Sequence, residues 1–254
     1  MAGCSRFARW IDRPGSGCRR TGDLSGSAGQ GLFVTWDGGQ DWQVSGLPIT
    51  AFVHGPAVRQ RLVLALADGA LYRSTDRGRT WEPEPTLPQL RPLAFTVGPA
   101  GRLYLGTHRK GVAMRGANGR WQIGGPSLRG TEITSLVAHP TRLGVAYLGT
   151  RLHGIHKTTD GGRTWALTSQ DIGRQVVTAL AQDPINANVF YAGAVDGVYR
   201  SQDGGWHWAL VSRSLGQRYV LVLAVDPVAG RDEDGHSGNA NRGTKRHATV
   251  LRGH

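Results

Sequence analysis

Five nearly continuous apolar runs recur along the chain: "ITAFVHGP" (49–56), "PLAFTVGP" (92–99), "ITSLVAHP" (133–140), "VTALAQDP" (177–184) and "VLVLAVDP" (220–227). Short apolar runs bounded by turn residues predict strands covered on both faces, and the proline after each removes a backbone donor and ends it. Two further strand-like segments follow, as in "LALADGALYRS" (64–74), "LYLGTHRKGVAMR" (103–115), "AYLGTRLHGIHKT" (146–158) and "FYAGAVDGVYRS" (190–201), with "LSGSAGQGLFVT" (24–35) as a looser copy. Each pair leads into a polar octapeptide that ends on tryptophan.

Four octapeptides fit one pattern, Ser/Thr-x-Asp-x-Gly-x-x-Trp: "TWDGGQDW" (35–42), "STDRGRTW" (74–81), "TTDGGRTW" (158–165) and "SQDGGWHW" (201–208). A degenerate copy, "MRGANGRW" (114–121), keeps Trp121 but has Gly116 in place of Asp. The tryptophans stand at 42, 81, 121, 165 and 208, a period of 39 to 44 residues. A repeat of that length holding four strands predicts an all-β chain, a β-propeller of four-stranded antiparallel blades in which neighbouring sheets cover one another. About five blades are present, and a truncated relative of a six- or seven-bladed protein fits the same pattern.

The octapeptide must reverse the chain within a few residues. Asp160 is expected to accept hydrogen bonds from turn N–H groups, Thr158 to add a side-chain bond, and Gly161 and Gly162 to supply positive φ. Trp165 is expected to bury its ring against an adjoining strand. The same structural roles fall to Thr35, Asp37, Gly39 and Trp42, to Ser74, Asp76, Gly78 and Trp81, and to Ser201, Asp203, Gly205 and Trp208.

The pattern resembles the Asp-box, or bacterial neuraminidase repeat, of sialidases, xyloglucanase-type glycoside hydrolases, sortilin-like receptors and photosystem II assembly factors. The resemblance covers roughly residues 22–227. It implies that the Asp turns lie on the face opposite the ligand site, so that their aspartates are structural. Sialidases of that superfamily use an arginine triad, a tyrosine activated by glutamate, and an acidic aspartate. Tyr219 and Glu132 exist here, but no local motif pairs them.

Domain boundaries follow: an N-terminal segment 1–21, the propeller 22–227, and a polar tail 228–254 with the composition of a disordered segment. Two parses of closure stand open. Either the last apolar run completes the blade at 24–45, or "FARWIDRP" (7–14) supplies an extra inner strand at 7–13 and the last run is left over.

Gly at 38, Pro at 12 and Trp at 8 agree with short strands and tight turns. The net charge of +12 invites nucleic acid, but the arginines are scattered rather than gathered into a stripe, which argues against that partner. No apolar run approaches the roughly 20 residues of a membrane helix. Cys4 and Cys18 lie too near the start to staple the fold, no export signal is present although similar proteins are often exported, and compartment and oligomeric state stay open.

Alternation of strand direction puts the second-to-third-strand loops and the blade-to-blade connections on one face, the loop face. Candidate ligand-binding residues there are His108, Arg109, Arg151 and His153 from the former, with Arg129, Arg174 and Arg218 from the latter. Converging arginines hold carboxylates or phosphates through bidentate bonds, and they equally form a solvated rim. The carboxylates expected on this face are Asp68, Glu82, Glu84, Glu132, Asp171 and Asp196; a shared position before glycine gives Asp68 and Asp196 a turn role. No metal-ligand spacing, nucleophile elbow or phosphate loop appears, so no cofactor or metal is expected. The favoured function is a non-catalytic binding or assembly propeller for a protein, anionic glycan or small-molecule partner. The alternative is a sialidase- or xyloglucanase-like glycoside hydrolase.

Overall fold

The computed structural model describes residues 5–11, 21–27, 31–37, 40–47, 53–59, 62–84, 90–116, 118–168, 170–173, 175–212, 220–225 and 248–252. They form a β-propeller with five four-stranded antiparallel blades. Blade 1 is β1 (Ser5–Ile11), β2 (Thr21–Ser27), β3 (Gly31–Thr35) and β4 (Gln43–Val44). Blade 2 is β5 (Val53–Arg59), β6 (Leu62–Ala67), β7 (Ala70–Ser74) and β8 (Glu82–Pro83). Blade 3 is β9 (Pro92–Val97), β10 (Leu103–Thr107), β11 (Lys110–Arg115) and β12 (Trp121–Arg129). Blade 4 is β13 (Ile133–Ala138), β14 (Ala146–Thr150), β15 (Ile155–Thr158) and β16 (Ala166–Leu167), and blade 5 is β17 (Val177–Gln182), β18 (Phe190–Ala194), β19 (Gly197–Ser201) and β20 (Ala209–Ser212). A sixth sheet pairs β21 (Val220–Val225) with β22 (Ala248–Arg252). Among the described residues no helix is long and apolar enough to cross a membrane.

Neither parse is met in full: a strand does precede the blade at 24–45, at Ser5–Ile11, but the last apolar run is not left over. β1 fills the inner position of blade 1, and β21 pairs with β22 rather than with the 24–45 segment. The tail expectation is corrected at its far end. Residues 248–252, "ATVLR", are rich in strand formers and lie antiparallel to the apolar β21, where their pairing satisfies its backbone. The rest of the tail lies outside the described residues. Within β5, Pro56 does not end the strand but sits where the register shifts between His54 and Ala57, a bulge that tolerates the missing donor.

Consecutive blades are locked by one repeated contact. The fourth residue of the second strand is glycine in blades 3, 4 and 5, and a branched side chain from the next inner strand fills the space above it. A Cβ built on Gly106 would lie 2.4 Å from Ile133 Cγ2, on Gly149 2.6 Å from Val177 Cγ1, and on Gly193 2.5 Å from Val220 Cγ1. Threonines reinforce the joint: Thr178 Oγ1 donates to the Val220 carbonyl at 2.6 Å, as Thr134 Oγ1 does to that of Val177. The surrounding core is apolar, with Tyr147, Phe190, Ile155 and Trp208 packed between blades 4 and 5.

The Asp turns form as the octapeptide chemistry requires. Asp160 accepts from Thr164 N–H at 3.0 Å, Thr164 Oγ1 at 2.6 Å and Thr158 Oγ1 at 2.8 Å, while Gly162 N–H donates to Thr158 Oγ1 at 2.9 Å. Gly161 and Gly162 take φ of 79° and 93°. Asp76 and Asp203 repeat the pattern, and the indole N–H of Trp81, Trp165 and Trp208 each donates to the carbonyl of the turn glycine, Gly78, Gly162 and Gly205. In the turn of blade 1, Asp37 accepts from Gln40 and Asp41 N–H, each at 3.0 Å. Gly39 lies outside the described residues. In the degenerate turn, Asn118 Oδ1 accepts from Arg120 N–H at 3.2 Å.

Partial burial alone would raise the carboxyls of Asp76 and Asp160, but the hydrogen bonds, led by those from Thr80 and Thr164, outweigh it and hold each at about 2. Asp203 is likewise held below the usual carboxylate range, and its hydrogen bond raises the His207 imidazole above its ordinary value.

Two predictions follow from this scaffold. Asp160→Ala lowers unfolding stability by about 1–2 kcal/mol, the range for losing a side-chain acceptor from free N–H groups, read from the urea midpoint. Because the folded Asp160 carboxyl titrates near 2 and an unfolded one near ~3.9, its contribution is complete above about pH 4 and is lost as pH falls toward 2. The stability of the Asp160→Asn protein is correspondingly flatter across that window. Gly149→Ala forces Val177 outward and costs about 1–3 kcal/mol in the same measurement, whereas Gly130→Ala meets no atom within 4 Å and pays only for its φ of 82°.

Candidate functional site

The second-to-third-strand loops of blades 3 and 4 share a threonine clasp. Thr107 Oγ1 donates to the Gly111 carbonyl at 2.8 Å and accepts from Lys110 N–H at 2.8 Å. Thr150 does the same with the Gly154 carbonyl at 2.8 Å and His153 N–H at 2.9 Å. Both threonines are buried, so the clasp fixes the loops from beneath and leaves Arg109, Lys110, Arg151 and His153 exposed above it. Neither threonine is among the candidate residues named from the sequence. Their signal is the repeated spacing Gly-Thr-x-x-x-Gly in "LGTHRKG" and "LGTRLHG".

Glu132, on the connection from blade 3 to blade 4, joins the two loops. His108 Nδ1 lies 3.3 Å from Glu132 Oε1, and Arg151 Nη1 donates to Oε2 at 3.2 Å. Arg151 N–H also donates to the Glu132 carbonyl at 3.1 Å, and Gly130 N–H to that of Arg109 at 2.9 Å. Beside this bridge opens a shallow cleft of about 520 Å³ lined by Leu90, Arg91, Thr107, His108, Arg109 and Lys110. Three cations and one imidazole thus face the opening. His156, beneath the blade 4 loop, adds no charge at neutral pH: burial, helped by nearby His153, lowers its imidazole to about 4.

The structure therefore brings together His108, Arg109 and Arg151 around Glu132, with His153 on the same loop as Arg151. Arg129 sits across the sheet from Lys110. It lines a second hollow of about 210 Å³ on the outer flank of blade 3 with Gln122, Gly124, Pro126 and Arg163. Arg174, Arg218 and Tyr219 lie outside the described residues.

Most carboxylates expected on this face have other partners. Glu84 is buried and ion-paired with Arg115 of blade 3, and Asp171 accepts from Trp208 N–H at 3.0 Å. Glu82 pairs with Arg73 at 3.0 Å. Asp68 and Gly69 take φ of 49° and 70°, the geometry of a two-residue hairpin turn. Asp196 also lies in a two-residue turn, between the paired Ala194 and Gly197, and its side chain reaches further: Oδ2 accepts from the Tyr199 hydroxyl at 2.5 Å and from Gln175 Nε2 at 2.9 Å, while Oδ1 is buried with no partner among the described residues. Among those residues no group of three or more His, Cys, Asp or Glu is placed to hold a metal ion.

The sequence matches no protein-family model and no curated protein. Among solved structures the chain is similar to an ancestral GH74 enzyme, with 18% identity and a TM-score of 0.67 over 89% of this chain and 33% of that one. It is similar to the GH74 xyloglucanase from Xanthomonas campestris at 18% identity and a TM-score of 0.61, over 78% and 38% of the two chains. YCF48 bound to a D1 peptide matches at 17% identity and a TM-score of 0.57, over 79% of this chain and 68% of that one. At these identities the likeness is one of fold, the β-propeller. The chain spans about a third of the length of the GH74 enzymes.

Glu132→Gln tests how far the bridge is structural. The ion pairs are partly exposed, so the substitution shifts stability by no more than about 1 kcal/mol in a urea titration, because the backbone bond from Arg151 and the threonine clasps persist.

Proposed function

We propose that the chain is an Asp-box propeller that binds rather than cleaves, and that the loop face of blades 3 and 4 holds an acidic segment of a protein partner. The observation that carries this reading is the open cleft lined by Arg91, Arg109 and Lys110, whose neighbouring carboxylate, Glu132, is already bridged by His108 and Arg151. An open cationic surface suits a chain of carboxylates presented in extended form, since guanidinium groups take them bidentately and the rigid loops lose little freedom on binding. A similarly folded propeller holds a D1 peptide, which supports a polypeptide as the partner class. His108, Arg109, Arg151 and His153 are the proposed binding residues, and the turn residues Asp37, Asp76, Asp160 and Asp203 are proposed as structural.

The second reading is a glycoside hydrolase, favoured by the fold likeness to the GH74 enzymes and by the buried Asp196 oxygen that has no partner among the described residues. Such chemistry needs two carboxyl groups about 5–9.5 Å apart across a sugar. Glu84 and Asp171 are engaged between blades, which weighs toward binding.

The test uses a fluorescent octa-glutamate peptide and, in parallel, xyloglucan oligosaccharides and aryl glycosides. The peptide binds, its affinity falls steeply with salt, and the Arg109→Glu/Arg151→Glu double variant weakens it at least tenfold. Glycoside turnover that disappears in Asp196→Asn would overturn the proposal in favour of the hydrolase.

A further inference from the structure

Blade 3 departs from the other blades along its outer strand. β12 runs for nine residues, where β4, β8 and β16 each have two. Its register with β11 is irregular: Lys110 faces Arg129 and Val112 faces Gly124, so the step from 110 to 112 is answered by one from 124 to 129. The surplus residues leave the ladder as a bulge, a device that re-aims the side chains around it. Gly125 takes a φ of 67° and donates its N–H to the Arg163 carbonyl at 3.0 Å, while Leu128 is buried in the core. The bulge is thereby fastened to the Asp turn of blade 4, which carries Arg163.

The hollow of about 210 Å³ on this flank is bounded by the bulge and the turn together. Arg129 and Arg163, both exposed, line it with Gln122, Ile123, Pro126 and the buried Met114. Neither guanidinium has a hydrogen-bond or ion-pair partner among the described residues, and the lining holds no carboxylate. Asp160, three residues before Arg163, is engaged within its own turn, where its two oxygens accept from Thr158 Oγ1 and from Thr164. Two cations therefore share one small space with nothing of opposite charge in it. An anion placed between them relieves their repulsion and satisfies donors from both.

We infer that this hollow binds the phosphate group of a phosphomonoester, with Arg129 and Arg163 taking its oxygens, Gln122 adding an amide donor, and Ile123 and Pro126 flanking the organic carrier. Charge decides for phosphate over a carboxylate or a sulfate ester, since a phosphomonoester carries about −1.5 to −2 at neutral pH and offers three acceptor oxygens to two guanidiniums. Size agrees: the hollow is smaller than the roughly 300 Å³ at which pockets for whole organic ligands begin, and suits one oxyanion with the first atoms of its carrier. The site lies on the outer flank, apart from the loop-face cleft, and does not rest on the function proposed there.

The experiment titrates the full chain with phenyl phosphate, followed by calorimetry and by amide chemical shifts. Binding is saturable, and the shifts centre on Gln122 to Arg129 and on Arg163. Affinity rises as pH passes upward through about 6, where the ester takes its second charge, because no histidine lines the hollow. Phenyl sulfate, of the same shape with a single charge, binds at least about fivefold more weakly and without that rise. Arg129→Gln and Arg163→Gln each weaken phenyl phosphate binding at least about fivefold, and Arg163→Lys, which keeps the charge but loses the fork, also weakens it. Arg120→Gln removes the same charge from an exposed position of blade 3 outside the hollow and leaves binding unchanged. The inference is overturned if phenyl phosphate does not saturate, if the shifts fall elsewhere, if phenyl sulfate binds equally well, or if the Arg129 and Arg163 variants unfold cooperatively yet bind as the parent does. It is overturned equally if Arg120→Gln weakens binding as much as they do.

Discussion

The architecture depends on a close approach between backbone and side chain that only glycine allows. Ile133, Val177 and Val220 each descend on a glycine of the preceding blade, and a single methyl there would overlap them by more than a van der Waals radius can yield. The contact seats each inner strand directly on the second strand of the blade before it. Everything outward of it follows. The threonine bridges reach the next blade's carbonyl because the strands are close, and the aromatic layer of Tyr104, Tyr147 and Phe190 fills the wedge that opens toward the rim.

At the outer edge a second device closes that wedge. The Asp turns are rigid because one carboxylate gathers several backbone donors, and rigidity lets a turn serve as a building block rather than a loose connection. Hence the turn carbonyls reach across to the neighbouring blade, as Gly204 does to Tyr147 and Lys157. The aspartates look like chemistry in a linear reading because they are acidic and surrounded by hydroxyls. Their low proton affinity arises instead from the geometry of a tight reversal.

The repeat itself, its strand order and the turn chemistry were legible because each is local: an apolar run, an Asp that caps, a glycine that permits positive φ. The glycine hollow was not, since the fourth residue of "LYLGT" reads as a small residue in a strand until the facing Ile133 is placed above it. The inner strand of blade 1 stood open because "FARWIDRP" mimics the other runs only at its end, and β22 was hidden by the polar stretch before it. On the loop face, strand alternation places the short loops of blades 3 and 4 side by side, and the structure links His108 and Arg151 there through Glu132. Alternation did not foresee the partners of Glu84 and Asp171, which follow two-residue outer strands and turn to Arg115 and to the Trp208 N–H.

The seating of the Asp turns is directional. The turns of blades 4 and 5 rest on a surface that belongs to the blade before them in the chain, never the one after. On a ribosome the seat is therefore made before the turn that needs it, and a newly emerged hairpin meets a finished template instead of waiting for one. The order of synthesis of the repeat and its order of assembly thus run the same way.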